Sequence, residues 1–98
     1  MFKYDEKRDV TRMRVDCEIN YKPADSSHTN VGRCKTVSAA GISFIAGQHC
    51  DIGLALAVNI YQNASIPALT AFIEVVRCVR RENGHYEIAG VIRSIKGN

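Results

Sequence analysis

"RCKTVSAAGISF", residues 33–44, decides how this chain is read. Two strand-like runs, residues 31–37 and 41–46, are parted by a block of small residues. Ile42 and Phe44 fall on one face of the second run, the period-two signature of a β-strand. At the break, Thr36, Ser38 and Gly41 supply two hydroxyls and a glycine. Such a block is either a plain turn or a surface shaped for something to lie against the backbone. Gly41 permits close approach of a ligand to the main chain, or a positive φ at a bulge.

The strand pattern continues outward in both directions. In "MRVDCEINYK", residues 13–22, Met13, Val15, Cys17, Ile19 and Tyr21 alternate with polar residues, which predicts a half-buried strand. "PADSSHTN" follows as a loop of turn formers. Beyond the turn region "GQHCDIG", Leu54, Leu56, Val58 and Ile60 share one face of another strand. The β-branched run "ALTAFIEVVRCVRR", residues 68–81, loses its alternation at Val75-Val76, which predicts a bulge or strong bend there. "ENG", residues 82–84, signals a hairpin, and "HYEIAGVI", residues 85–92, is the last strand. Six strands with short connections, little or no helix and no internal repeat predict an all-β fold. A small antiparallel barrel or sandwich is its natural closure, because either leaves few unpaired edges.

A chain of 98 residues forms one domain with a modest core. No apolar run approaches the roughly 20 residues of a membrane helix, and the charged opening "MFKYDEKRDVTRMR" is neither signal nor anchor. A cytoplasmic protein without membrane insertion is expected. Cys17, Cys34, Cys50 and Cys78 form no C-x-x-C pair and lie in or beside apolar runs, so they are expected as reduced, small hydrophobes. The net charge of +3 is too weak to assign nucleic acid. Its distribution is more informative. Lys3, Lys7, Arg8, Arg12 and Arg14 crowd the N-terminus, and Arg77, Arg80 and Arg81 form a second cluster. Patches of this kind favour an anionic partner or are simply solvated faces.

Arg8 and Arg12 precede the first strand, while Thr36, Ser38 and Gly41 lie between the second and third. Guanidinium groups make bidentate contacts to phosphate and stack on base faces. In this order the chain resembles the PilZ domain, a bacterial receptor family for cyclic di-GMP. Its pattern is R-x-x-x-R in an N-terminal loop, then D/N-x-S-x-x-G at the start of a strand. Arg8 and Arg12 match the first motif; Ser38 and Gly41 match the second, with Thr36 in place of Asp or Asn. The resemblance covers roughly residues 8–92 through "GISF", "CDIGLALAVNI", "IEVVRCVRR" and "YEIAGVI".

The resemblance implies a small six-stranded antiparallel β-barrel, residues 13–98, whose outer surface binds the nucleotide, and a flexible arm, residues 1–12, that docks onto it. Arg8 and Arg12 are implied to clamp cyclic di-GMP, with Thr36, Ser38 and Gly41 beneath it and Lys7, Arg33 and Lys35 flanking. A bacterial protein target in motility, biofilm or related systems is implied as the downstream partner. The alternative is a degenerate PilZ domain that binds no nucleotide and acts as a protein-interaction adaptor. Losing a bidentate carboxylate–guanine pair at Thr36 costs about 1–3 kcal/mol by analogy with base-edge contacts, and a hydroxyl recovers part of it.

Other chemistries are weaker. His49 and Cys50 are sequence neighbours, which on a strand point to opposite faces and make poor shared zinc ligands. Ser38 has no nucleophile elbow, so no enzyme activity is expected. Binding of single-stranded RNA requires exposed aromatics, and Phe44 and Phe72 are expected in the core.

Overall fold

The computed structural model describes residues 13–61 and 67–96. Lys7, Arg8 and Arg12, with the arm at residues 1–12, lie outside the described residues. Six strands run in chain order: β1 (Met13–Pro23), β2 (Asn30–Val37), β3 (Gly41–Ala46), β4 (Ala55–Tyr61), β5 (Pro67–Arg80) and β6 (Tyr86–Ile95). They close into a barrel in the order β1-β2-β3-β6-β5-β4, every neighbouring pair antiparallel. The described residues contain no helix, so none is long and apolar enough to cross a membrane. β6 runs to Ile95, past the expected end at residue 92, because the long β5 continues the ladder to it through Phe72↔Ser94 and Ala71↔Ile95.

Alternation fills the barrel. Ile19, Phe44, Leu56, Val58, Ile73 and Ile88 are all but fully buried, each from a strand face that the period-two pattern selects. Burying such a side chain contributes about 1.5–3 kcal/mol, which offsets much of the backbone ordering cost. Tyr21 lies against Phe44 with ring centroids 5.0 Å apart. All four cysteines are free thiols; Cys34 and Cys50 are buried, Cys17 and Cys78 partly so. His49 and Cys50 lie in the connection between β3 and β4 and not on a strand, and they still diverge: Cys50 is buried, while the exposed His49 meets the edge of Tyr86 at 5.6 Å between ring centroids.

Phe72 is a correction. Ala71, Ile73 and Val75 point inward on β5, so the intervening Phe72 is turned outward and is 45% exposed. The predicted slip at Val75-Val76 is present: Val75 pairs with Gly90 and Arg77 with Ala89, leaving Val76 as an extra residue. A second irregularity was not foreseen. Cys34 pairs with Phe44 and Thr36 with Ser43, so Lys35 is an extra residue on β2.

The predicted hairpin closes β5 onto β6. The Arg81 N–H donates to the His85 carbonyl (2.7 Å) and the Gly84 N–H to the Arg81 carbonyl (3.0 Å). Gly84 has φ +86°, which other residues rarely adopt.

Candidate ligand-binding face

The extra Lys35 decides where Thr36 points. Counted by strict alternation from the buried Cys34, Thr36 faces inward. The bulge resets the phase, and Thr36 instead lies on the outer face with Arg14 of β1 on one side and Ser43 of β3 on the other. Its Oγ1 is 2.7 Å from the Ser43 Oγ, a hydrogen bond in which either hydroxyl donates. Ser43 is only 7% exposed. Ala89 follows Ser43 on β6, and Arg77 follows Ala89 on β5.

Around this pair lies an open groove of about 510 Å³. Its charged lining comes from Arg14 and Asp16 of β1, Lys35 of β2, Arg81 after β5 and Glu87 of β6. Three cations thus face two carboxylates, and both carboxylates are engaged. Asp16 accepts from Arg33 Nε at 2.7 Å and has Lys35 Nζ at 3.6 Å; Glu87 pairs with Arg81. The Arg33 hydrogen bond, then its charge, then Lys35 hold the Asp16 carboxyl below the usual carboxylate range. The same bond raises Arg33. Among the described residues, Arg14 has no carboxylate partner. The groove is therefore a mildly electropositive, hydroxyl-floored surface suited to an anion.

Ser38 sits in the β2–β3 turn and Gly41 opens β3. The Ser38 Oγ accepts from the Gly41 N–H (3.1 Å) and the Ala40 N–H (3.2 Å), and the Ser38 N–H donates to the Gly41 carbonyl (2.8 Å). The turn thereby satisfies its own polar groups. Gly41 has a packing reason of its own: a Cβ there would lie 2.5 Å from the Gly90 carbonyl oxygen on β6. Both residues shape the turn beside the groove without lining it.

Of the expected residues, the fold brings Thr36 and Lys35 into the groove, with Arg33 held beside it through Asp16. Arg14, Ser43, Arg81 and Glu87 were not singled out from sequence as site residues. Ser43 left a signal, a polar residue between Ile42 and Phe44, hence on the outer face. Arg81 belongs to a basic cluster that sequence could not place.

No protein-family model matches the chain, and no curated protein matches it in sequence. In structure it is similar to the inhibitor of motility MotI/DgrA of Bacillus subtilis, with a TM-score of 0.72 and 15% sequence identity over 92% of this chain. This chain spans 44% of the length of that structure. At this identity the likeness is one of fold alone.

Proposed function

We propose that this chain is a non-enzymatic receptor for cyclic di-GMP that signals to a bacterial protein target, with the ligand held over the outer groove by Arg8 and Arg12. The observation that carries this reading is the pairing of Arg14 with Thr36. β1 begins one residue earlier, at Met13 opposite Val37. Arg12 is bonded to Met13, and Arg8 is five residues from it, a reach of at most ~18 Å. Chain connectivity thus allows the first motif to reach the edge of the groove at Arg14 and Thr36, which supports the reading. The groove's cations suit phosphates, and the Thr36–Ser43 hydroxyls suit a guanine edge. The fold shared with an inhibitor of motility supports a regulatory output, motility among the candidates.

A second reading rests on a specific observation. Thr36 and Ser43 hydrogen-bond to one another, and the Ser38 hydroxyl is engaged within its turn. Hydroxyls that are already engaged with one another or within the turn suit an adaptor that has dispensed with nucleotide.

Titration calorimetry with cyclic di-GMP, at two salt concentrations because phosphate contacts are screened, separates the two. Saturable heat that weakens with salt, and weakens again in Arg8→Ala and Arg12→Ala, supports the receptor. A folded sample at tens of micromolar that releases no heat refutes it. Pull-down of a target indifferent to nucleotide and to Arg8 then favours the adaptor.

A further inference from the structure

β5 is longer than its neighbour. β4 covers it from Pro67 to Glu74, and two bonds from the preceding loop extend the cover by one residue: the Val75 N–H donates to the Leu54 carbonyl (2.9 Å) and the Gly53 N–H to the Val75 carbonyl (2.7 Å). Among the described residues, no main-chain bond continues on that side past Val75. On its other side β5 stays paired with β6 through Arg77↔Ala89, Cys78↔Ile88, Val79↔Glu87 and Arg80↔Tyr86. Among the described residues, 77–80 therefore form an open edge of the barrel.

The register says which groups are open. The Arg81 N–H bonds to the His85 carbonyl. Antiparallel pairs alternate between those that exchange hydrogen bonds and those that do not. Val79 and Arg77 therefore bond β6, and the N–H and C=O groups of Cys78 and Arg80 point to the open side. The exposed side chains along this edge are apolar and cationic. Val76 and Val79 are 46% and 43% exposed, and Arg77 and Arg80 are exposed. Ile52, also exposed, adjoins Gly53 at the start of the edge. Neither Arg77 nor Arg80 has a carboxylate partner among the described residues, whereas Arg81 and Arg93 do.

An open edge templates a further strand. A second copy is a poor occupant, because self-pairing brings the same arginines together, and like charges across a ladder repel. We propose that the β5 edge at residues 77–80 is a docking site for an acidic, extended segment of a partner protein, added as a strand beside β5. Cys78 and Arg80 supply the main-chain bonds, Val76 and Val79 the apolar contact, and Arg77 and Arg80 the selection for carboxylates. The edge is distinct from the nucleotide groove, and the proposal holds whether or not nucleotide binds.

The test uses the full chain and a fluorescein-labelled octapeptide of alternating Glu and Val, with an alternating Lys and Val peptide as control. Binding is read by polarisation, and amide hydrogen exchange is read at Cys78 and Arg80. The expected result is saturable binding of the acidic peptide, slowed exchange at both amides, and a loss of affinity of at least about tenfold, or ~1.4 kcal/mol, in the double variant Arg77→Glu/Arg80→Glu. Arg80→Pro removes one open N–H without touching the β6 ladder and is expected to weaken binding as well. No binding at millimolar peptide overturns the proposal. So does binding without slowed exchange, which is charge attraction alone, or equal binding of the Lys peptide. If the double variant fails to fold, exchange in the unmodified chain decides. Dimerisation through this edge in sedimentation also overturns it.

Discussion

Thr36 and Ser43 share a hydrogen bond of 2.7 Å across the β2–β3 ladder, at the floor of the outer groove. One hydroxyl donates to the other, and Ser43 is nearly buried. A bulge at Lys35 is what brings them to one face.

Replacing Thr36 by Asp puts a carboxylate where the Ser43 hydroxyl can donate to it and where two guanine N–H groups can be accepted. Thr36→Asp is expected to tighten cyclic di-GMP by roughly 5- to 150-fold, the equivalent of about 1–3 kcal/mol. Calorimetry on the variant measures this. Weaker binding would mean that Thr36 is not the position that meets the base.

Ser38 is expected to matter to stability before it matters to any ligand. Ser38→Ala leaves two turn N–H groups, those of Ala40 and Gly41, without their acceptor. A loss of about 1 kcal/mol in urea unfolding at unchanged m-value is expected. An unchanged midpoint would show that water replaces the hydroxyl at no cost.

Gly41 and Gly47 make a matched pair. A methyl at Gly41 meets the Gly90 carbonyl at 2.5 Å, while one at Gly47 meets nothing within 4 Å. Gly41→Ala is expected to cost about 1–3 kcal/mol, because β3 and β6 must separate. Gly47→Ala is expected within about 0.5 kcal/mol of the parent. Thermal melts of the two variants test the contrast, and equal melting temperatures would contradict the strand spacing.

Burial divides the two phenylalanines more sharply than sequence does. Phe44→Ala removes a wholly buried ring and is expected to cost about 3–5 kcal/mol, a large part of the stability of a small domain. Phe72, 45% exposed, is expected to cost much less on truncation. Denaturant midpoints that fall equally for both would place Phe72 in the core after all.

Burial pushes the Cys34 thiol up to about 12 and the Cys50 thiol up to about 11; Cys17 beside Cys34 and Cys78 near Cys50 add to it. Both thiols ionise near 9.0 when unfolded. The folded state thus favours their neutral forms, and this contribution is complete below pH 9 and is lost as pH rises through the folded values. Urea midpoints are expected to fall steadily above pH 9, and less steeply in Cys34→Ala. Aromatic disulfide reagents are expected to reach Cys34 and Cys50 only on unfolding. Rapid labelling of all four thiols in the native protein would contradict this burial.

Legibility followed the range of the forces involved. Alternation in "MRVDCEINYK" and "LALAVNIYQ" is local, so it exposed the strands, their inward faces and the hairpin at "ENG". The slip at Val75-Val76 was legible for the same reason, since two β-branched residues in a row break the period within one strand. Ser43 was legible in principle by its place between Ile42 and Phe44. The bulge at Lys35 was not, because "RCKTV" carries no break in its own pattern, and the extra residue exists only against β3.

By itself the sequence determined an all-β chain of about six strands, because period-two burial is written in neighbouring residues; alternation left barrel and sandwich open, and closure into a barrel is a matter of tertiary pairing. It also determined the two motifs and their order. Only the tertiary structure decided that Thr36 faces out beside Arg14, Ser43 and Arg81, that Ser38 and Gly41 shape a turn, and that β5 overhangs β4. Register and strand overhang arise from pairing between segments far apart in the chain, where one added residue reverses every face beyond it.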